Sequence, residues 1–191
     1  MSKATNQFQI IGGEHRGRKF SFPDAPGLRP TPNKVRETLF NWIQFELSNK
    51  VFLDLFAGSG ALSFEAISRG AGQVISLEKD SNAFQNLEKN RKNLKSDNHR
   101  VIHGDALDFL SKKPSQTFDF VLLDPPFHQK ILEKTLNRLS AGGFLTLGCK
   151  LYIESEFAIT DVFLNQEISQ KIKINQQKHS GQVHYCLIEI L

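Results

Sequence analysis

The sequence predicts an α/β fold in which a mainly parallel, twisted sheet is covered by helices on both faces. Strand-length apolar runs at residues 51–55, 74–77, 101–103 and 118–123 alternate with stretches whose apolar residues repeat at helical spacing. Each run also leads into, or contains near its end, an acidic residue. Because such sheets bind ligands at the carboxyl ends of their strands, these acids mark the predicted site.

Length and composition favour one such domain with a small extension. The 191 residues are 39% hydrophobic and include 16 phenylalanines, enough for one α/β core but not two. We expect a cytoplasmic protein, because no apolar run resembles a signal peptide or approaches the about twenty residues that span a bilayer. Cys149 and Cys186 lack metal-ligand spacing, so we expect buried free thiols and no metal site.

Residues 1–30 are predicted to form an amino-terminal hairpin extension, and residues 31–191 the α/β domain. Residues 1–36 contain seven basic and two acidic residues, an excess of five positive charges, whereas the whole chain carries +4. Such an excess is typical of a contact with a phosphate backbone, although a solvated face would look the same. The candidate nucleic-acid-binding residues are Arg16, Arg18, Lys19 and Arg36.

The helices are predicted from capping signals and periodicity. Thr31 can cap a helix with Pro32 at its first position, and an apolar face follows over residues 35–47. Similar periodicity predicts helices over residues 83–94 and 131–139, the latter ended by two glycines.

The last strands are predicted at residues 150–154 and 183–190. Residues 175–182 read as turn-like and charged without a clear helix, so we expect the last strand to pair antiparallel.

The first strand of the predicted sheet runs into a glycine-rich turn and then a helix. Two glycines let a ligand approach the backbone, but Ser63 replaces the third glycine of a dinucleotide pattern. An acid before the loop disfavours a diphosphate and suits a cationic ligand such as S-adenosylmethionine, which carries a sulfonium and an ammonium group. The candidate cofactor-binding residues of this unit are Asp54, Phe56, Ala57, Gly58, Ser59 and Gly60.

Two further acids are candidates for the nucleoside part of the same cofactor. Glu78, with Lys79 beside it, ends the second strand about twenty residues beyond the glycine loop, where an acid accepts from ribose hydroxyls. Asp105, with Ala106, follows the third strand and could accept from the adenine amine. A helix cap is the alternative role for each acid.

The segment Asp124-Pro125-Pro126-Phe127 follows the fourth strand as a stiff corner, because consecutive prolines fix the backbone and cannot extend a ladder. The Asp124 carboxylate and the Pro125 carbonyl can both accept from one planar NH2 group, while Phe127 offers a face for a base. These four residues are the candidate catalytic group; an ordinary strand-to-helix loop is the alternative.

Residues 10–19, 27–31, 35–42, 54–62 and 124–127 together resemble the bacterial 16S ribosomal RNA guanine-N2 methyltransferases of the RsmD type. The resemblance covers nearly the whole chain and implies a Rossmann-like class I methyltransferase with a seven-stranded sheet that uses S-adenosylmethionine. It also implies, as substrate, one guanine amine in 16S rRNA within a partly assembled 30S subunit, and we expect a monomer. Arg29 and Thr31 are added as weaker cofactor-binding candidates.

Two other functions fit the same motifs. A DNA adenine or cytosine amino-methyltransferase shares the proline corner and the cofactor loop, but it usually needs a larger recognition domain. A non-catalytic assembly factor could bind rRNA through the hairpin, although the intact acids argue against it. A nicotinamide oxidoreductase is disfavoured by Ser63 and by the absence of an evident hydride-transfer acid.

Overall fold

The computed structural model describes residues 6–24, 30–127 and 129–191. These form one seven-stranded sheet and a separate two-stranded hairpin, with helices between the strands. The strands are β1 (Asn6–Gln9), β2 (Lys19–Phe22), β3 (Val51–Asp54), β4 (Gln73–Glu78), β5 (His99–His103), β6 (Phe120–Leu123), β7 (Lys150–Ser155), β8 (Ile172–Ser180) and β9 (Val183–Ile190). The helices are α1 (Asn33–Trp42), α2 (Ala61–Ser68), α3 (Ser81–Leu94), α4 (Ala106–Leu110), α5 (Ile131–Ala141) and α6 (Asp161–Glu167).

The seven strands lie in the order β5-β4-β3-β6-β7-β9-β8. The first five pair in parallel, whereas β9 is antiparallel to both β7 and β8. The predicted fold class, with its antiparallel last strand, is confirmed. The parallel register brings the carboxyl ends of five strands to one side of the sheet, which we call the carboxyl edge.

Each face of the sheet has its own hydrophobic core, because successive side chains of a strand point to opposite faces. Phe52 belongs to a core formed with the hairpin and α1–α3, and Leu53 to a core formed with α4–α6. The Phe20 ring of the hairpin stacks on Phe64 of α2 with their centroids 4.9 Å apart. The hairpin therefore shares the core of the α/β domain.

The turn of the hairpin is fixed to the carboxyl-terminal end of α2. The N–H groups of Ile11 and Gly12 donate to the two carboxylate oxygens of Glu65 at 2.8 and 2.9 Å. Gly13 has φ +78°, and an added Cβ there would lie 1.8 Å from the Ser68 carbonyl oxygen. This close approach requires glycine. Because the hairpin N–H groups donate to Glu65, the turn cannot separate from α2 without losing those hydrogen bonds.

Beneath the hairpin, Arg36, Glu65 and Arg69 form a charge cluster that we call the anchor cluster. Glu65 Oε2 lies 3.6 Å from Arg36 Nη1, and Glu65 Oε1 accepts from Arg69 Nε at 2.7 Å. Arg36 also donates to the Gln9 carbonyl at 2.9 Å, and it is 0% exposed. A buried guanidinium cannot reach an external phosphate, which contradicts the predicted role of Arg36 in nucleic-acid binding.

Two local predictions are wrong. Thr31 does not cap α1, which begins at Asn33 without a side-chain cap, because the Thr31 hydroxyl is directed to Asp124. The turn-like segment at residues 175–182 contains most of β8, a strand whose side chains are largely exposed at the edge of the sheet. A solvated edge strand lacks the apolar alternation from which strands are predicted.

Other local expectations are confirmed. The predicted faces of α3 and α5 are buried, and both cysteines are buried free thiols. Across the described residues, no helix has the length and apolar character needed to span a membrane.

Candidate active site

Four acids from distant parts of the sequence lie in one row at the carboxyl edge. Asp105, Glu78, Asp54 and Asp124 stand at or just beyond the ends of β5, β4, β3 and β6, which are neighbours in that order. Within the part of the chain that the structure describes, no lysine or arginine forms an ion pair with the last three. Three of the four acids therefore have no cation of the described residues beside them, an arrangement that favours a cationic ligand.

Asp54 ends β3 and is 1% exposed. Ser63 Oγ donates to Asp54 Oδ2 at 2.6 Å, which explains why a serine stands where a dinucleotide site has its third glycine. The Ser63 hydroxyl lies 2.6 Å from that of Ser76, which lies 2.7 Å from His99 Nε2. We call Asp54, Ser63, Ser76 and His99 the buried polar chain. Burial raises the pKa of Asp54 to about 7 although Ser63 lowers it, so a cation beside Asp54 would stabilise its charged form.

Glu78 fixes the glycine loop from the neighbouring strand. Its Oε2 accepts from the Gly58 N–H and its Oε1 from the Asp80 N–H, both at 2.8 Å. Gly60 has φ +82°, and an added Cβ would lie 2.5 Å from a leucine side chain of α3. The loop is thus held tightly, with a carboxylate where a diphosphate site would present free N–H groups.

The loop residues differ in what they can present to a ligand. Phe56 and Gly58 are partly exposed, whereas Ala57, Ser59 and Gly60 are buried. The first two can therefore meet a ligand directly, and the buried three contribute by shaping the loop. These features fit a small cationic nucleoside ligand lying over the loop, the ligand class predicted from the sequence.

Asp105 caps a helix, which is the alternative role given for it in the sequence analysis. Its Oδ1 caps α4 by accepting from the Leu107 N–H at 2.8 Å, and its Oδ2 lies 3.5 Å from Lys79 Nζ. The Asp105 carboxylate keeps 38% of its side-chain surface exposed and Lys79 keeps 70%. A role in adenine binding remains a prediction for Asp105 and for the adjoining Ala106, which is buried.

The proline corner leaves β6 at the carboxyl edge. Asp124 and Phe127 are partly exposed there, Pro125 is buried and Pro126 is exposed. Thr31 Oγ1 donates to Asp124 Oδ2 at 3.3 Å and so orients the carboxylate. Burial raises the pKa of Asp124 to about 6, against the effect of the Thr31 hydrogen bond. At neutral pH Asp124 is therefore an oriented anion that can accept hydrogen bonds from an amine.

Glu154 is a further acid of this site that the sequence analysis did not identify. It lies on β7, one residue beyond the pairing of Ile153 with Leu123, and so beside Asp124. It is 2% exposed, and its Oε1 accepts from the Tyr152 hydroxyl at 2.9 Å. Burial and the nearby Asp124 charge hold the pKa of Glu154 well above its usual range. An acid inside an apolar strand at residues 150–155 is the sequence signal that points to this residue.

The remaining predicted residues lie away from this row. Arg16, Arg18 and Lys19 are exposed on the hairpin, where they can meet a large ligand. Arg18 Cζ lies 5.7 Å from the centre of the Phe20 ring. Arg29 falls outside the described residues, so its role in cofactor binding remains a prediction.

The sequence profile of a family described as Conserved hypothetical protein 95 matches residues 8–189. The chain belongs to that family. Ribosomal RNA small subunit methyltransferase D from Escherichia coli strain K12 is 42% identical to this member over 187 residues, covering 97% of the chain and 91% of the relative. The protein of the same name from Haemophilus influenzae is 42% identical over 156 residues, covering 80% and 81%. The predicted RsmD-type family is confirmed.

Solved structures support the same assignment for this Conserved hypothetical protein 95 member. One named "Putative methyltransferase yhhF from Escherichia coli" matches with TM-score 0.86 and 40% identity, covering 97% of this chain and 98% of that one. The Thermus thermophilus 16S rRNA N2 G1207 methyltransferase RsmC, solved with AdoMet and guanosine, matches with TM-score 0.73 and 19% identity, covering 97% and 50%. At that identity the likeness to RsmC is one of fold alone.

Proposed function

We propose that the chain transfers the methyl group of S-adenosylmethionine to the exocyclic N2 amine of one guanine in 16S rRNA. The oriented Asp124 anion at the proline corner, at the end of a row of acids, is the observation that carries the proposal. An rRNA methyltransferase that is 42% identical over nearly the whole chain supports the substrate class.

The cofactor would be held by the glycine loop and the acids on either side of it. Asp54 suits the cationic methionine end, the Glu78 carboxylate faces the loop where a ribose would lie, and Asp105 is assigned to the adenine. Bound there, S-adenosylmethionine supplies an electrophilic methyl group on a sulfonium. The protein need not activate that methyl group, so its remaining task is to orient the amine.

Asp124 performs that task. A guanine amine is a weak nucleophile because its lone pair is conjugated with the ring, and acceptors at Asp124 and the Pro125 carbonyl would hold both hydrogens and direct the lone pair. With the cofactor bound, the amine nitrogen would bond to the methyl carbon as the carbon–sulfur bond broke, and Asp124 or water would accept the surplus proton. Positioning of this kind is worth effective molarities of roughly 10⁵ M or more.

Thr31 and Glu154 both lie beside Asp124. The Thr31 hydroxyl fixes one carboxylate oxygen, leaving the other for the amine. A protonated Glu154 places a second carboxyl group near Asp124 without a second negative charge, so the ionisation of Asp124 is not opposed. The pair therefore presents one charge to the substrate.

The target base must leave its stack to reach this corner. Phe127, partly exposed at the corner, would hold the base by stacking, which is worth about 1–3 kcal/mol in single-stranded sites. We further propose that the exposed hairpin cations Arg16, Arg18 and Lys19 contact RNA phosphates. The substrate would be a partly assembled 30S particle in the cytoplasm, and the enzyme a monomer with the hairpin extension at residues 1–30.

Transfer of labelled methyl from S-adenosylmethionine to 30S particles, to free 16S RNA and to DNA tests the proposal, with nucleoside analysis of each product. We expect N2-methylguanosine at a single site, with particles as the best substrate. Label in DNA would instead support a DNA amino-methyltransferase. Absence of label in every substrate despite cofactor binding would support a non-catalytic assembly factor.

A further inference from the structure

A groove runs between the hairpin and α3, away from the row of acids. Its walls enclose about 360 Å³ and come from β2 and from the carboxyl-terminal half of α3. A shallower depression of about 560 Å³ continues along α3 and shares Lys89 and Asn93 with the groove. We call the two together the α3 groove. The lining cations are Arg18, Lys19, Lys89 and Lys92.

The α3 groove is a fixed feature of the fold. Asn90, in its floor, donates to the Ser21 carbonyl at 2.9 Å, and the Arg18 guanidinium donates to the Asn93 carbonyl. Asn90 is 3% exposed and Phe20 is 4% exposed, so the contact between strand and helix is closed beneath the groove. The spacing between the two elements that carry the cations is therefore set before any ligand binds.

The charge of the α3 groove is uniformly positive except at one position. Glu88 is the acid of the lining, and Arg91 neutralises it through two hydrogen bonds at 2.9 and 3.1 Å. Cations near the end of α3 also complement the helix dipole, which accounts for Lys92. The dipole does not account for Arg18 and Lys19, which stand on a different element and face the same groove.

The α3 groove lies at a distance from the carboxyl edge. Asp80, which caps α3, is hydrogen-bonded to Glu78, whereas Lys89 and Asn93 lie nine and thirteen residues further along the helix. At 1.5 Å per residue this is roughly 14 to 20 Å. A nucleic-acid strand advances about 3.4 Å per nucleotide in a duplex, so about four to six nucleotides would reach from the groove to the carboxyl edge at Glu78.

We propose that the α3 groove binds the phosphate backbone of the rRNA segment that flanks the target guanine. Arg18 and Lys19 contact one side of the backbone, and Lys89 and Lys92 contact the other. Asn93 offers an amide that can bond a phosphate or a ribose hydroxyl. This inference rests on the proposed function and adds α3 to the RNA-binding surface.

The test compares Lys89→Gln with Lys92→Gln against a control pair, Lys112→Gln with Lys113→Gln. The control lysines are exposed and follow α4, which packs on the opposite face of the sheet. Both double variants lose the same charge. For the α3 pair we expect weaker RNA binding, and a plot of log affinity against log salt flatter by about 1.4 to 1.8, since each lost phosphate contact removes 0.7 to 0.9. Affinity for S-adenosylmethionine and turnover at saturating RNA should not change.

A charge-conserving pair, Lys89→Arg with Lys92→Arg, should retain the wild-type salt slope, which separates loss of charge from disturbance of α3. An unchanged slope in the glutamine pair, or an equal change in the control pair, overturns the inference while the proposed function stands. If wild-type protein transfers no methyl group to rRNA, the proposed function fails and this inference fails with it.

Discussion

The protein buries charge in two places, and the two differ in how the charge is balanced. In the anchor cluster beneath the hairpin, Glu65 accepts from or pairs with two arginines and two backbone N–H groups. At the carboxyl edge, Asp54, Asp124 and Glu154 lie close together, and no cation of the described residues pairs with them. One place balances its charges internally, whereas the other leaves its acids without a cation.

The difference distinguishes charges buried to stabilise the fold from charges buried to bind a ligand. Burying a paired cluster costs desolvation free energy but holds the surrounding elements in place. Removing one partner leaves the other charges buried and unpaired. Burial raises the pKa of acids that have no cation beside them, and a cation or a hydrogen-bond donor supplied from outside would stabilise their charged forms. The raised pKa values of Asp54, Asp124 and Glu154 are therefore the electrostatic mark of the ligand site.

The largest effect is expected from Asp124→Ala. The variant loses both the orienting acceptor and the first proton acceptor, so we expect methyl transfer to fall by about 10²- to 10⁴-fold. Cofactor affinity, measured by calorimetry, should stay within a few fold because Asp54 and Glu78 are untouched. If cofactor affinity fell as far as the rate, Asp124 would belong to the cofactor pocket, and its assignment as the residue that orients the amine would be wrong.

The next effect concerns the paired cluster. Glu65→Ala leaves Arg36 buried without its carboxylate and frees two hairpin N–H groups, so we expect a loss of about 3–5 kcal/mol in the free energy of unfolding by urea. Glu37→Ala, on the exposed side of α1, is the matched control and should change stability by less than about 0.5 kcal/mol. Equal losses in the two variants would contradict a structural role for the anchor cluster.

The smallest effect is expected from Glu154→Gln, which replaces a protonated carboxyl by a neutral group of the same shape. The raised folded-state pKa means that Glu154 favours the folded state fully below its unfolded pKa of about 4.3, and that this contribution is lost as pH rises toward the folded value. The variant should therefore lack that pH-dependent loss of stability above about pH 4.3, as measured by urea unfolding across pH.

The same variant tests whether the two carboxyl groups carry one charge. Wild-type turnover should rise with pH through about 6 as Asp124 ionises, and Glu154→Gln should leave the pH of this rise unchanged. A shift of this rise to lower pH in the variant would show that Glu154 is charged in the wild-type protein. Glu37→Gln serves again as the surface control.

Much of the site could be predicted from the sequence because its signals are local. Asp54, Glu78 and Asp124 each follow a recognisable strand, and parallel sheets bring such ends together. Thr31 and Arg36 could not be placed, since their partners Asp124 and Glu65 are far away in the chain. The local sequence favoured a helix cap for Thr31 and a nucleic-acid contact for Arg36. Their tertiary partners give both residues other roles.

The buried polar chain links the charge of Asp54 to the tautomer of His99. When Asp54 is ionised, Ser63 must give its hydrogen to the carboxylate, so Ser76 gives its own to Ser63 and His99 Nε2 gives its own to Ser76. His99 is then the Nε2–H tautomer, which agrees with a buried Nδ1 that has no partner among the described residues and with a pKa lowered by burial to about 4. The ionised state of Asp54 at the cofactor loop thus selects one tautomer of a histidine buried inside the domain.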